Sequence, residues 1–466
     1  MTIDTMTPLL EINAGDTAWV LASASLVLFM TPMLAFFYGG MVRAKGVLNM
    51  LMMNVVAMGT IGVLWVVCGY SMAFGDPQWG GLIGNPAQYF RLHGVMGTEV
   101  GTIPGFVFVA FQSAFAIIAT ALISGAVADR MKFSAWVVFT IPWGLLVYFP
   151  AANWVFGTGW ILNTMHAVDF AGGTAIHINA GAAALALALI LGPRVGFGSR
   201  PMRPHNTTLV MLGAGGLWFG WFGFNAGSAL GANDTAGLAW VNTLAAAAAA
   251  MLAWICVERI RDGQPTTLGA ASGIVAGLVG ITPACASVSP WGAVIIGIVC
   301  GAVCALAVSL KYRFGYDDSL DVVGVHMIGG FLGTVLVGFL ADPHAMTEGA
   351  PASLEANGAG LFLGGNGKLL GVQVICALAM MAYSFVVSGL IGLVIKKTMG
   401  IRVSTAEELR GIDLVEHAES GYDFSSVRYS SLVLPKAHAH HEDAPRPDGK
   451  PARAVDTTAD KEEISA

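Results

Sequence analysis

Apolar positions run almost unbroken for the thickness of a bilayer in eleven places along the chain. They lie near 17–40, 49–74, 104–127, 133–154, 170–192, 206–227, 236–257, 268–286, 289–310, 321–341 and 368–397. A helix needs about 20 such residues to cross roughly 30 Å of hydrocarbon. The pattern therefore predicts an all-α polytopic membrane protein of eleven transmembrane helices, with the stretch at 268–286 the shortest. Polar positions gather between the runs, most densely at 75–103 and 342–367, which are rich in Gly, Pro, Asn and Asp and read as loops. Past the last run the pattern changes. Residues 399–436 mix apolar and charged positions and carry a helix-start signal, Ser404-Thr405-Ala406-Glu407-Glu408. Residues 437–466 are Pro-, Ala- and charge-rich with no apolar period, and are expected to be disordered. Three regions result: a transmembrane domain over 1–398, a C-terminal region over 399–436 and a tail over 437–466.

Charge fixes the predicted orientation. Alternate loops hold Arg43 and Lys45; Arg130 and Lys132; Arg194, Arg200 and Arg203; Arg259 and Arg261; and Lys311 and Arg313. The opposite loops hold only Arg91 and Lys368, and Lys396 and Lys397 follow the last run. Basic residues stay in the cytoplasm, so the N-terminus is expected outside and the C-terminus inside. No Lys or Arg precedes Arg43, so no cleavable signal peptide is expected.

Composition agrees with the spans. Charged residues make up 11% of the chain and hydrophobic ones 55%, too few charges to solvate a globular surface of this size. The 60 glycines suit helices that approach closely in lipid. No basic stripe points to nucleic acid. Cys68, Cys256, Cys285, Cys300, Cys304 and Cys376 all fall in or beside apolar runs without a CxxC pair, and read as small buried hydrophobes rather than a metal site or disulfide. His438, His440 and His441 read as part of a solvated tail.

Spans one to five and six to ten could be two halves. An odd number of spans per half inverts the second relative to the first, giving a pseudo-two-fold inverted repeat of five plus five helices with a pathway between them. Matching features support it: a glycine-rich aromatic patch ends span one (Phe36 to Gly40) and span six (Trp221 to Gly227), and a histidine lies in span five and another in span ten. Of ten histidines, only His177 and His326 lie well within spans. An ionisable group at membrane depth faces a pathway or a partner. Imidazole donates from one nitrogen and accepts at the other, so two of them make a polar strip that hosts a small neutral polar molecule or relays a proton. Desolvation disfavours their charged form.

Acidic residues near spans are scarce. Asp169, before span five, suits both a helix cap and a negative charge beside an outer cation site. Asp321, with Asp317 and Asp318, reads as a cap at the cytoplasmic side. Phe111 and Phe115 share one face of span three, and span six carries Trp218, Trp221 and Phe224, with Ser228 one turn beyond. Aromatic faces attract cations and Ser accepts a hydrogen bond, although such a stripe also fits a core or interfacial belt.

Several stretches together resemble the ammonium transporter (Amt/Mep/Rh) family, in its bacterial Amt branch. They are Ala35-Phe36-Phe37-Tyr38-Gly39-Gly40, Phe111-Gln112, Asp169-Phe170-Ala171-Gly172-Gly173-Thr174 through His177-Ile178, Trp218 through Ser228, and Asp321-Val322-Val323-Gly324-Val325-His326. The resemblance covers the chain to about Phe424. It implies a homotrimer with one pore per subunit, in the cytoplasmic membrane. By the same resemblance Phe111, Phe115 and Ser228 match the outer ammonium-recruitment site. Phe115 and Phe224 match the stacked gate, His177 and His326 the twin histidines, Trp221 the tryptophan beside them, and Asp169 the aspartate near recruitment. Tyr38 and Gln112 match motif positions whose roles stay open. The family commonly has HWVWG where this chain has Asn153-Trp154-Val155-Phe156-Gly157, so Phe156 takes the register of the recruitment tryptophan, with a weaker cation–π face. Trp154 or Trp160 is the candidate to rotate in. Met327 stands where Gly is common, which would narrow the pore or alter packing. Residues 403–424 resemble the family's C-terminal region, which implies a PII-type regulatory partner.

The expected function is ammonium transport: NH₄⁺ recruited outside, deprotonated near the phenylalanines, and NH₃ conducted past the histidines, with or without the proton. A sensor signalling through the tail and a passive Rh-like gas channel are the alternatives. An enzyme would need a nucleophile, metal ligands or a cofactor motif at the histidines' depth, and the sequence offers none.

Overall fold

The computed structural model describes residues 11–200, 202–345 and 352–422, and those up to Gly421 form one compact unit. The expected disordered tail and its three histidines lie outside the described residues. Among the described residues, ten helices are long and apolar enough to cross a membrane: α1 Ala14–Met41, α2 Ala44–Phe74, α3 Gly105–Val127, α4 Phe133–Asn163, α5 Gly173–Leu191, α6 Thr207–Gly227, α7 Asp234–Asp262, α9 Pro290–Phe314, α10 Val323–Leu340 and α11 Lys368–Thr398. Between α7 and α9 stands the shorter apolar helix α8, Thr267–Ile281. Sequence reading had run that element to residue 286. The helix stops at Ile281 because Pro283 brings no N–H and the chain turns, with Ala284 N bonding back to Ile281 O at 2.9 Å and Ser287 N to Ala284 O at 2.8 Å.

Helix starts are chemically marked. Asn13, Asn206, Asn233, Thr266 and Ser289 each accept a backbone N–H at the first turn of the helix that follows. Small residues bring helices together: at Gly213 of α6 an added Cβ would lie 2.4 Å from the backbone N of Phe37 in α1. Two small hairpins, β1 (Pro77–Gln78) with β2 (Ile83–Gly84) and β3 (Glu99–Val100) with β4 (Ile103–Pro104), fill the loop between α2 and α3. Four helices contain π-helical stretches: Trp65–Gly69, Gly144–Tyr148, Gly173–Ile178 and Val323–Met327. Such stretches recur at functional sites, and the last two carry the histidines.

The C-terminal region packs at the end of the bundle where α2, α4 and α6 begin. Two short helices, α12 Thr405–Arg410 and α13 Ile412–His417, follow α11, and α12 opens on the predicted capping box of Ser404 and Glu407. Asp413 accepts from Leu48 N and Asn49 N at 3.1 and 2.8 Å, capping the first turn of α2. Glu416 accepts from Phe133 N at 3.1 Å, where α4 begins. Fully buried Glu408 accepts from Val195 N at 2.7 Å and pairs with Arg402 at 2.8 Å. Nearby, Arg194 grips Asp317 with two side-chain bonds of 2.9 Å and a backbone bond of 2.7 Å. Four of the cysteines are buried as expected, Cys68 is half-buried, and Cys256 is exposed instead, on the outward face of α7.

Candidate functional site

A cavity of about 340 Å³ opens at the end of the bundle opposite the C-terminal region. Phe111, Phe115, Phe156, Asp169 and Ser228 all line it, together with Gln112. Sequence reasoning had grouped the first five, and the fold brings them to one wall-to-wall vestibule. Phe111 and Phe115, one turn apart on α3, meet edge to face at 4.8 Å. Ser228 Oγ donates to Phe224 O at 2.8 Å, the position that caps the end of α6, which leaves its lone pairs free to accept.

Phe156 ends the long stretch of α4, before its short last turn Trp160–Asn163, and neither neighbouring tryptophan replaces it. Trp154 Nε1 donates to Leu82 O at 2.9 Å, and its ring packs between Trp160 at 5.7 Å and Tyr383 at 4.5 Å. Neither indole lines the vestibule, because hydrogen bonding and ring packing hold Trp154 against Leu82, Trp160 and Tyr383 instead.

Asp169 is a cap. Its carboxylate accepts from Gly172 N at 2.9 Å, Gly173 N at 2.6 Å and Thr174 N at 2.7 Å, and from the Thr174 hydroxyl. Gly172 sits in the left-handed region at φ 114°, which lets the chain double back so that three N–H groups converge on one carboxylate. Burial pushes the Asp169 carboxyl above the usual range, against the lowering effect of these bonds.

Beyond the vestibule, Phe115 and Phe224 overlap with centroids 4.4 Å apart and planes 34° apart. Past them lies a lumen with room for about one water molecule, some 10 Å³, lined by His177, His326, Trp221 and Phe224 among aliphatic side chains. The imidazoles touch through Nδ1 atoms 3.3 Å apart, with ring planes 26° apart. One Nδ1 must therefore donate and the other accept, which leaves a bare Nε2 on the first ring and an N–H on the second. Trp221 stacks on His177 at 5.4 Å and is itself fixed by Nε1 donating to Thr282 Oγ1 at 3.0 Å. Sequence reasoning missed Thr282; nothing in its local pattern distinguishes it from the rest of the turn after α8. Met327 is not among the residues lining the lumen, and its backbone packs against Gly181, where an added Cβ would lie 2.5 Å from Met327 N. His326 also lines the next cavity along, with Phe37, Tyr38, Ser272 and Asp321. Vestibule, gate, lumen and inner cavity thus form one file through the bundle.

The three aspartates before α10 divide the work that sequence reading gave to all of them. Asp317 holds Arg194. Asp321 pairs with Lys311 at 2.6 Å. Asp318 alone is the cap, accepting from Val323 N at 2.7 Å, and burial pushes its carboxyl up to about 6.

Comparison with known proteins adds to this geometry. The family model described as the Ammonium Transporter Family matches residues 18–422. The ammonium transporter of Mycobacterium tuberculosis (strain CDC 1551 / Oshkosh) is 54% identical over 448 residues, covering 91% of this chain and 93% of that one. That of Aquifex aeolicus is 46% identical over 89% of this chain and 94% of its own length. Among solved structures, Candida albicans Mep2 superimposes with a TM-score of 0.76 at 33% identity, over 85% of this chain and 88% of its own. A structure described as a sensor Amt protein gives 0.79 at 28% identity, over 86% and 98%.

Proposed function

The chain belongs to the ammonium transporter family, and from that footing we propose how it carries its substrate. It is a multi-pass membrane transporter and not an enzyme. NH₄⁺ enters the vestibule from outside and settles among the faces of Phe111, Phe115 and Phe156, donating to Ser228, in the field of Asp169. It sheds a proton at the Phe115–Phe224 gate. NH₃ then crosses the lumen along His177 and His326, and the proton follows through the touching imidazoles. Selectivity follows from the deprotonation: K⁺ is similar in size to NH₄⁺ but has no proton to lose, so it cannot become the neutral species an apolar lumen admits.

The observation that carries this reading is the 3.3 Å contact between two buried imidazoles at the end of an aromatic, acid-capped vestibule. We also infer the wider arrangement from the sequence pattern and the resemblance. All eleven helices cross the cytoplasmic membrane as an inverted repeat of five plus five, N-terminus outside and C-terminus inside. Subunits form a homotrimer with a pore each, and residues 399–436 receive a cytoplasmic PII-type regulator.

The test is ammonium-evoked current in proteoliposomes on a solid-supported membrane, for the intact protein and a His177→Ala, His326→Ala double variant. A saturable current lost in the double variant supports the reading. Internal pH change without current would point to passive gas conduction of the Rh kind. No response in either readout would favour the sensor reading, which the 28%-identical sensor Amt structure keeps in view.

A further inference from the structure

The two histidines sit in turns of matching construction. His177 lies in the π-helical turn Gly173–Ile178 and His326 in the π-helical turn Val323–Met327. Eight residues before each stands an aspartate, half-buried Asp169 and buried Asp318, whose carboxylate accepts backbone N–H groups at the start of that turn. Three residues after each aspartate the chain passes through the left-handed region, at Gly172 with φ 114° and at Asp321 with φ 63°. A non-glycine residue pays for that conformation unless something holds it. Lys311 holds Asp321 by its side chain and also donates to Asp318 O at 3.0 Å. Cap, kink and widened turn thus recur in the same order along the chain at both histidines.

A π turn places one more residue in a turn than an α turn does. If it tightens to α geometry, every side chain it carries swings round the helix axis. The Nδ1–Nδ1 contact depends on both rings keeping their present directions, so whatever holds the second turn open also sets the aim of His326.

We propose that Asp318 is the positioning residue for His326, holding its turn in π register so that the two Nδ1 atoms meet and a proton can leave one and arrive on the other. This rests on the reading that the histidine pair carries the proton. Loss of the cap lets the turn relax and parts the imidazoles. It leaves the apolar lumen in place, so ammonia still crosses while the proton does not.

The experiment reconstitutes Asp318→Ala, Asp318→Asn and Asp318→Glu beside the intact protein and the double-histidine variant. It reads ammonium-evoked current and ammonia-driven internal pH change on the same vesicles. Asp318→Ala is expected to lose at least ten-fold in current while keeping the pH change. Asp318→Asn, which retains an oxygen for Val323 N, is expected to recover most of the current. Should the alanine variant fail to fold, Asp318→Glu decides. Its longer arm displaces the turn, and a lowered ratio of current to pH change supports the proposal, whereas an unchanged ratio overturns it. Full current in Asp318→Ala, or equal loss of both signals in the alanine and asparagine variants, also overturns it. A double-histidine variant that keeps its current would instead remove the pore reading on which the proposal stands, so the two failures are distinguishable.

Discussion

Replacing Asp169 by Asn removes one oxygen and one charge with almost no change in shape, and the structure sets what that costs. Oδ1 receives Gly172 N and Gly173 N; Oδ2 receives Thr174 N, the Thr174 hydroxyl and, at 3.4 Å, Ala175 N. The amide does best with its nitrogen at the Oδ2 position, where the Thr174 hydroxyl can turn to accept. Thr174 N then faces a donor and is left buried without a partner, at about 1–3 kcal/mol. The two bonds kept at Oδ1 fall from charge-assisted to neutral, about 1 kcal/mol each. Loss of the charge at the helix start adds roughly 0.3–1 kcal/mol. The total is about 3–6 kcal/mol, against about 1 kcal/mol for Thr174→Val, which removes only the hydroxyl bond. Both are measured by unfolding purified protein in mixed detergent micelles. Asp169→Asn within about 1 kcal/mol of the parent would refute the argument that charge-assisted bonds hold this turn.

Phe156→Trp puts an indole face into the vestibule and is expected to lower the half-saturating ammonium concentration about two- to thirty-fold, from roughly 0.5–2 kcal/mol of added cation–π attraction; an unchanged value would mean the ring at this position does not meet the cation. Arg194→Met strands buried Asp317 and is expected to cost about 3–5 kcal/mol, while changing both partners to apolar residues restores most of it. Burial alone would raise the Asp317 carboxyl, but the hydrogen bonds and charge of Arg194 outweigh that and hold it below the usual range. Its folded-state pKa is depressed, so this stabilisation is full at neutral pH and is lost as pH falls below about 4. In Arg194→Met that acid-dependent loss should be blunted, which an unfolding series between pH 3 and 7 would reveal.

Hydropathy was enough to mark the helices because lipid forbids unpaired backbone, so each crossing must be one apolar helix. It overran at α8, where Ala284, Cys285 and Ala286 continue the apolar run but lie buried in a turn within the protein. Phe111, Phe115, Phe156, Asp169 and Ser228 were grouped by their resemblance to family motifs, because residue chemistry alone leaves an aromatic stripe open between a cation site and a core or interfacial belt. What stayed hidden was the choice among chemically equal candidates. Asp317, Asp318 and Asp321 share one acidic cluster, and only the backbone path assigns one to an arginine, one to a turn and one to a lysine. Trp154 lies two residues from Phe156, and nothing local says that Leu82, from a distant hairpin, takes its N–H. The equal spacing of Asp169 to His177 and Asp318 to His326 was present in the chain all along, but it acquires meaning only once the turns are seen.

The carboxylates that close the first turns of α2 and α4 come from beyond the last membrane helix. Asp413 and Glu416 supply from a distance what a neighbouring Ser or Asn supplies elsewhere in the bundle, and buried Glu408 pairs with Arg402 and accepts from the backbone N–H of Val195. A shortened gene product ending at Thr398 would consequently not be the same pore without an appendage. It would begin two of its helices with bare amides and leave the backbone N–H of Val195 without its acceptor, so trimming the end of this chain for crystallisation or fusion amounts to mutating three sites hundreds of residues upstream.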